Sequence, residues 1–430
     1  MQIMMLFGIF FLLLLISVPI GYSIGIATVI TLGVYSKIPM MMVAQNCVMG
    51  VNSFPLMAIP FFILAGGIMS TGGVAHRIVN AANAIFGRFT GGLGAVAIAS
   101  CMFFAAISGS AMATVAAIGG MLIPSMTKTG YDKKYSSSLV AAAGTIGVII
   151  PPSVPFVLYA VVVGTSVTEL FIAGLIPGIA MGIALMIVNF FWAKKLGYTK
   201  EMTYAHKNKE KVQGKELINT ILALLTPVII LGGIYSGYFT PTEAAVVGCV
   251  YATIISVFVY KETTLKELYS QLVDSMNTNG LTMFMVGLSS AFAAYLTMEQ
   301  IPQTIATGLL GLTSNKILLL LLINLFLLVV GCFIDNIPAT IILSPILLPI
   351  VVDLGMSPIQ FGVILVMNLA IGFVTPPYGI NLFVAAAISN LRMQDLVKYI
   401  MWFIGALLIV LMLTTYFEPF TMGLVKILSK

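Results

Sequence analysis

The chain has 430 residues, of which 60% are hydrophobic and only 8% charged. Soluble domains carry about a quarter charged residues, so a soluble globular protein is excluded. The net charge of +6 is carried by lysines in loops, so it reads as membrane topology rather than a nucleic-acid footprint.

The start, Met1 to Ile16, is apolar without a basic flank or a small-x-small cleavage pattern, and is predicted to be a retained helix. Continuous apolar runs, not alternating ones, point to transmembrane helices rather than a barrel. Ordinary spans are predicted at 3–36, 54–70, 168–192, 218–237, 242–260, 281–298 and 400–417. Cys47, Cys101, Cys249 and Cys332 are scattered through apolar sequence and suggest neither a disulfide nor a transition-metal site.

Between these spans lie two broken segments. In the first, Ile98 to Ile107 and Ala111 to Pro124 flank Ser108-Gly109-Ser110. Arms this short cannot cross a bilayer at 1.5 Å per residue, so a re-entrant helical hairpin is expected. An intact run, Leu139 to Gly144, follows and is interrupted at Gly147-Val148-Ile149-Ile150-Pro151-Pro152-Ser153; a half-helix, Val154 to Val163, comes next. The second broken segment repeats this plan. Leu318 to Phe333 leads to Asp335-Asn336 and then to Pro338 to Pro349; Phe361 to Leu369 leads through Gly372-Phe373-Val374-Thr375-Pro376-Pro377-Tyr378 to Leu382–Ile388. One shift relates the two copies: 372 − 147 = 225, 376 − 151 = 225 and 335 − 110 = 225.

The loop at 128–134 holds Lys128, Lys133 and Lys134, and its mate near 353–360 has Asp353 but no basic residue. Opposite charge bias places the two loops on opposite faces, making the repeat inverted. The lysine-rich stretch 194–216, with seven lysines, is expected in the cytoplasm like 128–134. The expected fold is therefore an all-α polytopic membrane protein. It would hold an inverted repeat of two re-entrant hairpins and two unwound helices. The expected organisation is surrounding helices over 1–92, repeat 1 over 93–167, surrounding helices over 168–316, repeat 2 over 317–390 and a last helix over 391–430.

Proline lacks an N–H and releases carbonyls upstream of it, and lipid cannot satisfy them. Paired interruptions of this kind mark the binding site of a secondary transporter. Released carbonyls of 147–152 with the hydroxyls of Ser108 and Ser110 can ligate an alkali cation. A second site would use Asp335 or Asn336, the carbonyls of Gly372, Val374 and Pro377, and the Thr375 hydroxyl. Asp335 is also read as a helix N-cap. Ser153, Tyr378, Asn381 and Asn336 are the candidate contacts for an anionic substrate held by half-helix N-termini. Thr240-Pro241-Thr242-Glu243 reads as a capping box rather than a site. No nucleophile or metalloprotease motif points to an enzyme. A channel would sooner show one filter around a pore.

The run from Gly237 to Ala245, the Ser108-Gly109-Ser110 tip and the two Pro-Pro elements together resemble the large membrane subunit of TRAP transporters, the tripartite ATP-independent periplasmic transporters. The likeness covers essentially the whole chain and leans toward the sialic acid branch. It implies an elevator-type carrier coupled to sodium, with no ATP hydrolysis, in the bacterial inner membrane. It implies two partners, a small four-helix membrane subunit and a periplasmic substrate-binding protein. Its substrates are organic acids such as C4-dicarboxylates and sialic acid. It also places sodium ligands on Ser108, Ser110, Gly147, Ile149 and Pro152, and by the repeat on Gly372, Val374, Thr375 and Pro377. A self-sufficient cation-coupled dicarboxylate carrier is the alternative.

Overall fold

The computed structural model describes residues 2–198, 214–310 and 315–428, so most of the lysine-rich stretch, with His206, lies outside the described residues. Twenty α-helices and no strand occur among them. Seven helical segments are long and apolar enough to cross a bilayer, and the chain is a multi-pass membrane protein.

The repeat is visible in the helices themselves. The first copy is α6 (Gly92–Ser108), α7 (Ala111–Lys128), α8 (Lys133–Gly144) and α9 (Val154–Val163). The second is α15 (Lys316–Gly331), α16 (Asn336–Asp353), α17 (Pro358–Gly372) and α18 (Ile380–Ser389). Both ends of α7 map onto α16 by the same shift, 336 − 111 = 225 and 353 − 128 = 225. The half-helices cross over between copies: α9 packs on α16 and α17, and α18 packs on α7 and α8. The Tyr159 hydroxyl of α9 donates to the Pro358 carbonyl at 2.6 Å, locking one crossover.

The hairpin arms are longer than the sequence suggests. α6 has 17 residues, and α7 has 18 because it runs through Pro124 instead of ending there. At 1.5 Å per residue they reach about 26 Å, and of the four arms α16 alone is both long and apolar enough to count as a span. A proline inside a membrane helix loses one hydrogen bond without ending the helix when neighbouring groups compensate.

Around the repeats run α1 (Gln2–Leu15), α2 (Ile20–Tyr35), α3 (Met41–Val51), α4 (Ala58–Thr71), α5 (Val74–Phe86), α11 (Gly214–Tyr235), α12 (Pro241–Thr253) and α13 (Leu265–Met298). The expected single span 3–36 is two helices, because the backbone turns at Ser17 (φ +64°) and Pro19 caps α2. α13 has 34 residues and starts well before the predicted 281. It packs on α2, α3, α4 and α16. Capping boxes start two of these helices. Thr240 with Glu243 was expected; Thr264 with Glu267, a Thr-x-x-Glu pattern of the same kind, starts α13. α10 (Val167–Lys195) and α19 (Met393–Tyr416), expected among the surrounding spans, pack on α6, α8 and α17 of the repeats. A short α14 (Ile301–Leu310) and α20 (Glu418–Leu428) complete the described chain.

Candidate functional site

At the first tip, Gly109 sits at φ +61°, a left-handed turn that suits glycine. Ser110 then caps α7, its hydroxyl accepting from the Ala113 N–H at 3.4 Å. The Ser108 and Thr114 hydroxyls are 3.1 Å apart, and Thr114 donates to the Ser110 carbonyl at 2.8 Å. The interrupted stretch after α8 presses on this turn. A Cβ on Gly147 would stand 2.7 Å from the Ser110 carbonyl oxygen and 2.6 Å from the Thr114 hydroxyl. A Cβ on Gly109 would stand 2.8 Å from the Pro152 carbonyl oxygen. Ser108, Ser110, Gly147 and Pro152 therefore meet at one place. Ile149 faces elsewhere, its carbonyl oxygen 2.8 Å from where a Cβ on Gly174 of α10 would lie. Thr114 was not anticipated, although it lies one turn beyond Ser110 on the same helix face.

At the second tip, Asp335 caps α16, its Oδ1 accepting from the Asn336 N–H at 2.7 Å. Asn336 is buried; its Oδ1 accepts from the Thr340 hydroxyl at 2.9 Å. Gly372 and Gly331 touch backbone to backbone, and a Cβ on Gly372 would overlap Gly331. The Thr375 hydroxyl donates to the Ile371 carbonyl at 2.8 Å. Val374 is buried, while Pro377 and Tyr378 are exposed. The Pro151-Pro152 and Pro376-Pro377 bonds are both cis.

Both tips line one cavity of about 400 Å³, within the size range of small-molecule sites. Ser108 to Ala113 close one side and Asp335 to Ile337 another. The facing wall is Gly66, Gly67, Ser70 and Thr71 of α4 with Gln271, Asp274, Ser275 and Thr278 of α13. Gly66 lets α4 approach the tip, since a Cβ there would stand 3.1 Å from the Ser108 Cα.

Of the four candidate substrate contacts, Asn336 lines this cavity. Ser153 is buried, and its neighbours Val154 and Pro155 line the cavity. Its hydroxyl donates to the Val148 carbonyl at 2.6 Å and accepts from the Phe156 N–H at 3.3 Å. That hydroxyl replaces the donor that Pro152 lacks, so its role is structural. Tyr378 is 50% exposed, with its ring edge-on to Phe383. Asn381 is buried between the two copies, its amide donating to the Ala141 carbonyl of α8 at 3.3 Å. The α13 wall went unanticipated. Gln271, Asp274/Ser275 and Thr278 recur every three to four residues, a helical signal in a stretch that hydropathy alone reads as a loop.

A multi-pass helical bundle with a cavity shared by two matched, broken helical segments is the architecture of a membrane transporter. Residues 7–420 match the family described as "Tripartite ATP-independent periplasmic transporter, DctM component". The chain belongs to this family, the large permease component of TRAP transporters. It is 44% identical over 411 residues to an isethionate TRAP transporter permease protein, DctMQ, of Oleidesulfovibrio alaskensis, covering 96% of this chain but only 64% of that protein. It is 39% identical to the C4-dicarboxylate large permease DctM of Pseudomonas aeruginosa, covering 94% of this chain and 93% of the relative. It is likewise 39% identical to the sialic acid large permease SiaM of Vibrio cholerae, covering 95% of each. In fold it is similar to the crystal structure of the Alcanivorax borkumensis YdaH transporter, with a TM-score of 0.63 over 89% of this chain and 88% of that one at 14% identity.

Proposed function

We propose that this chain is the carrier subunit of a sodium-coupled uptake system for an organic acid anion in the bacterial inner membrane. The observation that carries the proposal is the shared cavity, bounded by both tips and adjoining the oxygen-rich contact of Ser108, Thr114, Ser110 and Pro152. A sodium ion needs about six oxygens and takes hydroxyls and released carbonyls readily, so that cluster suits it. Asp335 offers a carboxylate to a second ion. The anion would sit beside the N-termini of α7 and α16, both of which open on the cavity, and those ends favour negative charge. The relatives' names span a sulfonate, dicarboxylates and sialic acid at similar identity, so the substrate class is an organic carboxylate or sulfonate.

Lys128 ends α7, and Lys133 and Lys134 begin α8, which supports a cytoplasmic location for this end of the first hairpin. α11 leaves the lysine-rich stretch, α12 returns, and α13 therefore starts on the basic face. The Arg77–Glu262 ion pair (2.8 Å) holds the start of α5 beside that end. Ser70, Thr71, Gln271 and Asp274 lie toward the same face, so the cavity opens to the cytoplasm. Substrate would be handed over by a periplasmic binding protein, with a small membrane subunit beside this one. The partial coverage of DctMQ, whose printed name carries both M and Q, supports such a second membrane component. The repeats would then slide as one body past α4 and α13.

The test is uptake of isethionate, succinate and N-acetylneuraminate into proteoliposomes holding this chain and its small subunit. A sodium gradient and the binding protein are each included or omitted. Uptake of one anion that needs both supports the proposal. Uptake that needs neither overturns it, and sodium-dependent uptake without the binding protein identifies a self-sufficient carrier.

A further inference from the structure

Among the described residues, the cavity that takes an anion in this reading is lined by two carboxylates, Asp274 and Asp335, and by no lysine, arginine or histidine. Asp335 sits at a hairpin tip, where a coupling ion can neutralise it. Asp274 is different. It lies on α13, on the wall facing the tips, and is exposed. None of the ion pairs among the described residues involves it. Its neighbours along the cavity wall, Gln271, Ser275 and Thr278, are neutral, and Thr278 donates to the Asp274 backbone carbonyl at 2.9 Å, leaving the carboxylate free.

From this geometry we infer that Asp274 is a specificity-determining residue that makes occupancy of the open cavity by an anion depend on bound sodium. The inference rests on the function proposed above. With sodium at the tips, the cations and helix N-termini outweigh one distant carboxylate. Once sodium leaves to the cytoplasm, Asp335 is unneutralised and Asp274 faces the anion across the same cavity. The two carboxylates then both favour expulsion, Asp274 contributing one like charge of the two, and the binding of anions from the cytoplasm is suppressed. A repulsive group placed against the unwanted state is a recurrent route to specificity. Sodium therefore leaves first and the anion follows.

The experiment measures binding of whichever of isethionate, succinate or N-acetylneuraminate is transported to the purified two-subunit membrane complex, in saturating sodium and in sodium-free potassium or choline buffer. Wild type, Asp274→Asn and Asp274→Glu are compared. Asp274→Asn is expected to bind the anion roughly fivefold to tenfold more tightly without sodium, the scale of one like charge across a hydrated cavity. Its affinity in saturating sodium changes less, so the sodium dependence shrinks. Asp274→Glu keeps the charge and restores the wild-type ratio. Equal sodium-free affinity in wild type and Asp274→Asn overturns the inference while leaving sodium coupling intact. Wild-type binding that ignores sodium overturns the coupled reading and this inference with it. Loss of binding by Asp274→Asn in both buffers, with Asp274→Glu active, makes Asp274 an attractive ligand and also overturns it.

Discussion

The two helix-and-break units share one backbone plan but differ in chemistry and packing. The first is neutral and closed: α6 lies along α7, the tip is Ser108-Gly109-Ser110, and Pro151, Pro152 and Ser153 are buried. The second is acidic and more open. α15 lies against α17 more than against α16, Asp335 replaces Ser110 at the cap, and Pro377 and Tyr378 are exposed. A duplicated backbone thus carries two different sets of oxygens, hydroxyls and carbonyls at one tip and a carboxylate at the other; in the function proposed above these are two ion environments. The polar groups that differ are those facing the shared cavity; the glycines that let backbones meet recur in both copies, at Gly147 and Gly372.

The largest effect is expected where those backbones touch. Gly372→Val has no room against Gly331 and should cost about 3 kcal/mol or more through overpacking. Thermal unfolding of the purified complex should show it, with uptake lost. Gly120→Ala, where a Cβ meets nothing within 4 Å, should be silent; equal melting of the two variants would contradict the packing at the second break. Next come the tips. Ser108→Ala and Asp335→Ala should each raise the sodium concentration for half-maximal uptake about tenfold, equivalent to about 1.4 kcal/mol of ligation; Ser108→Ala should melt close to wild type, while Asp335→Ala also loses the cap of α16, about 1 kcal/mol. Wild-type sodium dependence in both variants would remove the ion assignment.

A smaller change is expected at Ser153→Ala. Losing a cap and the donor to Val148 should cost about 1–2 kcal/mol of stability with sodium dependence unchanged. Altered anion affinity instead would return Ser153 to the binding surface. Tyr378→Phe should be the mildest, because the hydroxyl lies on an exposed ring outside the cavity. Uptake differing by more than about twofold would place Tyr378 in the translocation path.

Much of this arrangement was legible in the residues. The 225-residue shift anticipated both breaks and the register of α7 on α16, because proline and glycine act locally. The Thr240–Glu243 cap was legible for the same reason. Other features depend on tertiary context. Pro124 reads as a helix end but lies inside α7. Ser153 reads as a free hydroxyl after a double proline, yet it is consumed by the carbonyl that the proline released. The first third of α13 reads as a loop because its polar residues face a cavity instead of lipid. Hydropathy cannot separate these cases, whereas the three-and-four spacing of Gln271, Asp274 and Thr278 could have done so.

In the function proposed above, both tips close on one ion-and-anion site. The most direct test is a cryo-electron microscopy map of the two-subunit complex in saturating sodium with the transported anion. The anion is expected in the cavity between Ser108–Ser110 and Asp335–Asn336, with an ion beside Ser108 and Pro152. An anion bound elsewhere, with both tips empty of ions, would contradict it.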